Sequence, residues 1–151
     1  MPASTSADGF TVRREYVRRM PYRDVHGRDR HRDLPMGDTV RAGDEIIARV
    51  IVSAPRAARE VLVEDPIPAG CEIVDEEETE YYAETQAARR EARDRRVVFH
   101  AFHVDQGQNV FEYRLRAELP GDYHVLPAHA GCAYIPEIWG SSMERRLRVR
   151  D

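Results

Sequence analysis

The sequence predicts an all-β protein, a seven-to-eight-stranded antiparallel β-sandwich, and three observations carry that prediction. Phe111, Tyr113, Leu115 and Ala117 alternate with Glu112, Arg114, Arg116 and Glu118. Successive strand side chains point to opposite faces, so one face of this segment meets a core and the other meets water. Ile46 to Val52 is an almost unbroken apolar run, the pattern of a strand covered on both sides. Finally, Pro/Gly/Asp turn signals recur about every 8–12 residues along the chain, the spacing of short sandwich strands.

The elements follow in order. Residues 1–9 are small and polar and are expected to be a flexible N-terminus. Phe10 to Tyr22 sets β-branched and aromatic residues among arginines and reads as an edge strand; Arg23 to Asp33 is very polar and reads as a loop or irregular hairpin. Leu34 to Asp38 has turn chemistry, and Thr39 to Asp44 leads into a strand over Glu45–Ser53. Ala54-Pro55 breaks that strand, and Glu60–Glu64 is another. Asp65-Pro66-Ile67-Pro68-Ala69-Gly70 is a rigid bend in which two prolines and a glycine leave no room for a helix. Cys71–Val74 extends again. Asp75 to Arg96 is rich in Ala, Glu, Arg and Gln without Gly or Pro, so one short helix or ordered loop is expected near 80–94. Val97–Val104 is a strand and Asp105–Asn109 a turn. Leu119-Pro120-Gly121-Asp122 then turns the 111–117 strand into a second extended run, Tyr123–Ala133, which predicts a β-hairpin. Pro136 to Ser142 is a loop, and Arg145–Arg150 closes the chain with Leu147 and Val149 inward and arginines outward. Residues 10–151 thus read as a single domain, an expected size for a chain of 151 residues.

Composition narrows the function. The chain is 42% hydrophobic and 33% charged, with net charge −4. All 23 basic residues are arginine. An acidic molecule is not a polyanion binder as a whole, so no nucleic acid is expected as a partner. No stretch of about 18 apolar residues occurs, and no direct membrane contact is expected. MPASTSADGF has neither the basic nor the apolar segment of a secretory leader. The expected location is therefore cytoplasmic if the chain stands alone, and periplasmic or extracellular if it is part of an exported parent. Cys71 and Cys132 read either as two buried free thiols or as a disulfide, which would require an oxidising compartment.

Several motifs together resemble one family. Asp65-Pro66-Ile67-Pro68-Ala69-Gly70 after a short strand is similar to an element of the last macroglobulin-like domain, the MG10 type, of bacterial α2-macroglobulins. Arg95-Arg96-Val97-Val98-Phe99 resembles the opening of a strand in that domain. Phe111, Tyr113, Arg116, Ala117, Pro120, Gly121, Tyr123, Pro127 and Ala128, followed by Tyr134, Pro136, Glu137, Ile138 and Gly140, resemble its closing strands and loop. The resemblance runs from about Phe10 to the C-terminus. It implies a macroglobulin-like sandwich of the immunoglobulin and fibronectin-III kind. It also implies a large exported parent that traps proteases with a thioester held in another domain, beside which this one packs without doing chemistry. Two departures stand out. The thioester sequence Cys-x-Glu-Gln is absent, since Cys71 precedes Glu72-Ile73-Val74 and Cys132 precedes Ala133-Tyr134-Ile135. Ala133 also stands before the loop tyrosine, where relatives bearing a thioester often place Met.

On these grounds no catalytic residue, cofactor or metal is expected. Ser141-Ser142 lack any nucleophile signature and no phosphate-binding glycine loop occurs. His100 and His103 are an odd number apart on a strand, as are His124 and His129, so neither pair shares a face for a metal. The acidic run Glu72–Glu80 lacks the Asp/Asn/Gly alternation of a calcium loop and reads as solvated. The candidate contact site is the loop Tyr134, Pro136, Glu137, Ile138 and Trp139, because large apolar residues between Pro and Gly mark an interface when exposed. Trp139 reads equally well as closing the end of the sandwich. The expected partners are neighbouring domains of a larger parent and, through the parent, target proteases. The alternative is a stand-alone polyanion-binding domain using the Arg-rich 13–32 segment, above all Arg13, Arg14, Arg18, Arg19 and Arg23, which has a local charge of +5. An arginine-fringed edge strand that blocks aggregation explains the same charges.

Overall fold

A computed structural model describes residues 2–74, 79–83, 86–93 and 95–151, with side chains over 2–74 and 95–151. Its strands are β1 (Ser4–Thr5), β2 (Thr11–Arg23), β3 (Asp29–Pro35), β4 (Thr39–Arg41), β5 (Glu45–Ala54), β6 (Ala58–Pro66), β7 (Cys71–Ile73) and β8 (Thr79–Ala83). They continue with β9 (Gln86–Arg93), β10 (Arg96–Val104), β11 (Gly107–Ala117), β12 (Gly121–Val125), β13 (His129–Cys132), β14 (Trp139–Ser141) and β15 (Arg145–Arg150). Three sheets result, with orders β1-β14-β13-β6-β10-β9-β8, β3-β2-β5-β11-β7 and β12-β15-β4. Among the described residues, only β15 and β4 run parallel and every other pairing is antiparallel. The predicted β-sandwich is the fold the chain adopts, in more and shorter strands than its turn signals mark.

The alternating segments build the core. Ile46, Ala48, Val50 and Val52 of β5 and Phe111, Tyr113, Leu115 and Ala117 of β11 face Val61, Val63, Val97, Phe99 and Ala101 of β6 and β10. Phe99 bridges the two large sheets, with its ring 5.3 Å from that of Phe111 and 6.3 Å from that of Tyr113. Leu147 and Val149 of β15 join Val40 and Val125 to close one end, as their alternation with arginine predicts.

The chain departs from the sequence reading in four places. Phe111–Ala133 is not a hairpin. Both edges of β11 are taken, by β5 and β7, and β12 pairs with β15 in another sheet. The Pro-Gly turn therefore carries the chain between sheets. Tyr123 holds it by donating its hydroxyl to Leu119 O at 2.7 Å, the tyrosine-corner arrangement of Greek-key sandwiches. Gly70 sits against that ring, where a Cβ would stand 2.3 Å from Tyr123 Cζ, so the Asp65–Gly70 bend and the 119–123 corner are one packed unit. Second, the short helix or ordered loop expected near 80–94 is a strand pair: β9 pairs with β10 and β8 with β9. Helix-favouring composition yields here to an open sheet edge, because the segment has no apolar stripe at helical spacing to bury. Third, the edge strand is β3 rather than β2, which lies between β3 and β5. The polar 23–33 segment turns tightly because Asp24 Oδ1 accepts from the backbone N–H groups of His26 and Arg28, each at 2.9 Å. Fourth, the N-terminal segment holds the strand β1, which pairs with β14.

Candidate functional site

The contact loop predicted at 134–139 connects β13 to β14. Backbone hydrogen bonds fix its shape: Cys132 N–H donates to Ile138 O, Ile138 N–H to Ile135 O and Ala133 N–H to Glu60 O, at 2.8–3.0 Å. At its base the Trp139 carbonyl accepts from the N–H groups of Ser6 and Phe10 at 3.2 and 3.1 Å, and Trp139 N–H donates to Ser6 Oγ at 3.0 Å. The N-terminal segment therefore clamps the loop, a role its small polar composition does not announce.

On this fixed loop the side chains divide. Tyr134 is 82% exposed and Ile135 49%, Pro136 and Glu137 form the exposed turn, and Ile138 packs on the core. Trp139 is half-buried and stacks on His129, centroid to centroid 6.2 Å, on the outer face of the sheet. It does not plug the interior. Tyr134, Ile135 and Ile138 form one wall of a groove of about 400 Å³ whose other wall includes Ala58, His103 and Cys132. Glu60 bends β6 to make this wall. Its φ of 54° lies in the left-handed region, a local strain for a residue with a Cβ, and it is held by Ala133 on the backbone and by His100 Nε2 at 2.5 Å on the side chain. Phe102 is 47% exposed on the neighbouring strand β10.

The five arginines of the alternative site do not come together. Strand alternation sends Arg14 inward with Val12 and Tyr16, leaving its side chain only 2% exposed against Asp65. Arg18, Arg19 and Arg23 are within 4.0 Å of Asp44, Glu45 and Asp29 respectively. A segment rich in arginine therefore has no single basic face.

Arg14 belongs instead to a buried network that the sequence reading missed. Arg14 Nε donates to Asp65 Oδ1 at 2.8 Å, its Nη2 donates to the same oxygen and to Leu126 O, and Tyr113 donates its hydroxyl to Asp65 Oδ2 at 2.5 Å. The Arg145 guanidinium covers the Tyr16 ring at 4.4 Å. The available signal was phase: Arg14 is a charged residue at an apolar position of an alternating strand. Burial pushes the Asp65 carboxyl up from its ordinary value, while Arg14 and the Tyr113 hydroxyl pull it back. Burial opposes the Arg14 charge, but Asp65, together with Tyr16 and Tyr113, outweighs it and the pKa is raised. Burial also drives the Tyr16 and Tyr113 hydroxyls upward.

Cys71 and Cys132 are free and buried, one in each large sheet. Burial pushes the Cys71 thiol up from 9.0 to about 12. Its folded pKa lies above its unfolded one, so the stability it contributes is present below pH 9 and is lost as pH rises toward 12; the two tyrosines act in the same direction. The urea midpoint is accordingly expected to fall between pH 7.5 and pH 10.5. A constant midpoint across that interval would refute the burial of these groups. Among the described residues, no group of three His, Cys, Asp or Glu side chains converges to hold a metal.

A β-sandwich of two large sheets and a third small one, with a tyrosine corner, a charged latch in its core and an apolar groove under a clamped loop, defines an immunoglobulin-like β domain. Residues 9–137 match the model of the bacterial alpha-2-macroglobulin MG10 domain, and the chain belongs to that family. It is 27% identical over 134 residues to an alpha-2-macroglobulin homolog of Nostoc sp., an overlap that covers 84% of this chain and 7% of that protein. The chain thus spans a small fraction of this curated relative's length. In fold it is similar to Salmonella alpha-2-macroglobulin reacted with methylamine, with TM-score 0.74 and 20% identity over 100% of this chain and 10% of that one. It is also similar to native Escherichia coli alpha-2-macroglobulin spanning MG7 to the C-terminus, with TM-score 0.73 and 21% identity over 97% of this chain and 24% of that one.

Proposed function

We infer that this domain is a non-catalytic terminal packing module of a larger bacterial alpha-2-macroglobulin-like protease trap, working in an exported compartment, and that it docks on a neighbouring domain of the parent through the Tyr134–Trp139 loop. One observation carries this reading: Tyr134 and Ile135 are held out into solvent, at the lip of an apolar groove, on a loop whose backbone is already fixed. A clamped loop loses little conformational entropy on docking, so more of the burial of its aromatic and aliphatic side chains appears as affinity. Family membership adds the parent, and the absence of Cys-x-Glu-Gln assigns any covalent capture to another domain of it.

The test separates docking from folding. In the parent protein, Tyr134→Ala is expected to weaken packing of this domain on its neighbour by about 2 kcal/mol, roughly 30-fold. Thermal unfolding of the isolated 151-residue chain should stay unchanged. If the isolated chain is destabilised as much as the contact is, Tyr134 serves the fold and the docking assignment is wrong. A parent that retains no protease after cleavage would refute the trap itself.

A further inference from the structure

The outer face of the seven-stranded sheet is apolar where a solvated face would be polar. Ala130 and Cys132 of β13, Val61 and Val63 of β6, and Phe99 and Ala101 of β10 point into the core, so Gly131, Leu62 and His100 point outward. The register sets Trp139 opposite Gly131, Gly131 opposite Leu62, and Leu62 opposite His100. This row crosses β14, β13, β6 and β10, about 14 Å at the usual strand spacing. His129 flanks one end, stacked on Trp139. Phe102 flanks the other, its ring centroid 5.1 Å from that of His100. Val98 shares the face with His100, outside the core cluster.

Folding alone does not account for this face. An antiparallel sheet with one face on a core normally turns polar residues to water on the other, and the second large sheet does so. There Glu15, Arg49 and Glu112 stand in register across β2, β5 and β11 and pair with one another; Ile47 and Ile51 share that face but are only 6% and 5% exposed. Exposed apolar residues elsewhere are placed differently. Val25, Leu119, Leu126 and Met143 stand singly in turns and connections, and Met20 and Tyr22 sit among the arginines of the β2–β3 hairpin. The carboxylates on and around the apolar face are already matched. Glu64 pairs with Arg96 at 3.2 Å, Glu60 meets His100 Nε2 at 2.5 Å, and Asp105 at the rim meets His103 at 2.9 Å. The row ends at β9, which sets Arg89 and Glu91 opposite His100 and Val98.

We propose that this outer face, from Trp139 through Leu62 to Phe102, packs against an aliphatic, uncharged surface of a neighbouring domain of the parent. Contiguous exposed apolar area marks an interface. With its carboxylates matched, the face offers a partner area rather than charge, and a charged surface laid on it would bury groups without counter-ions. Gly131 lets the aromatic stack lie flat, since His129 Cε1 is 3.2 Å from where a Cβ would stand. Two observations select a domain of the parent over a second copy or a lipid surface. The face begins at Trp139, where the contact loop ends, so one partner reaches both. The chain also covers only 7% of its Nostoc relative, which leaves most of such a protein to supply the cover. The choice of partner rests on the docking reading above; the apolar face does not.

Hydroxyl-radical footprinting tests this by comparing each side chain in the parent with the same side chain in the isolated 151-residue chain. Oxidation of Phe102, Leu62 and Trp139 is expected to fall several-fold in the parent, while Met20 and Tyr22 react alike in both. Phe102→Ser should weaken packing of the domain in the parent about tenfold and leave the thermal midpoint of the isolated chain unchanged. Equal oxidation of Phe102 and Leu62 in the two proteins would overturn the proposal, and so would a midpoint that falls as far as docking does. Protection of Tyr134 without Phe102 would leave the loop reading standing and sink this one; protection of Phe102 without Tyr134 would do the reverse. Protection of Phe102 in the isolated chain that grows with its concentration, or that appears on adding phosphatidylglycerol vesicles, would assign the face to a second copy or to a membrane and overturn the proposal.

Discussion

Asp65→Ala is expected to destabilise the domain by about 3–5 kcal/mol, the cost of removing one partner from a buried ion pair. The carboxylate is fully buried and accepts from Arg14 and Tyr113. Its loss leaves a guanidinium that is only 2% exposed without its counter-ion, and a tyrosine hydroxyl without an acceptor. The residues involved lie on β2, β6 and β11, so the latch joins both large sheets, and Arg14 also holds Leu126 O between β12 and β13. Most of the cost arises from the charge left behind, not from the pair's own net strength. Arg14→Met/Asp65→Leu should therefore recover much of the loss by replacing the pair with apolar volume. Urea unfolding of the three proteins checks both statements. A wild-type midpoint for Asp65→Ala would show that Arg14 escapes to solvent and that the latch is not structural.

The latch also shows where reading the sequence stops. Asp65 was legible as the first residue of a Pro-rich bend and Arg14 as one of eight arginines in a basic segment; that they meet depends on β2 and β6 facing one another, which no local pattern states. Strand content was legible where a period-two pattern meets a core on one side, as in β11 and β15. Pairing was less so. Leu119-Pro120-Gly121-Asp122 has the same turn chemistry whether it joins paired strands or crosses between sheets, and only the occupied edges of β11 decide. The short helix or ordered loop expected near 80–94 gives way to strands β8 and β9 for a related reason: the Ala, Glu and Arg content there states a local preference, whereas the unpaired edge of β10 is a property of the sheet. In the candidate site, the loop Tyr134–Trp139 was recognisable from apolar residues between Pro and Gly. Its groove was not, because the second wall comes from Ala58 and the bent Glu60, more than seventy residues earlier in the chain.

Gly140→Ala is expected to cost about 3 kcal/mol, at the upper end of overpacking penalties, because the obstruction is backbone. A Cβ at this position would stand 1.9 Å from Phe10 O and 2.7 Å from Phe10 C, with Val12 Cγ2 behind them at 3.2 Å. A side chain in the way can change rotamer; the Phe10 peptide cannot retreat without breaking its N–H bond to Trp139 O, or moving the fully buried Phe10 ring. Relief must come from β14 shifting outward, and β14 is the base of the contact loop. The same substitution should therefore weaken docking through Tyr134 as well as lower the unfolding midpoint of the isolated chain, whereas Tyr134→Ala lowers only docking. Chemical unfolding of the isolated chain, together with the docking assay in the parent, distinguishes the two patterns. A stable Gly140→Ala domain would mean that β14 does not press against Phe10 and that the loop is not clamped by the N-terminal segment.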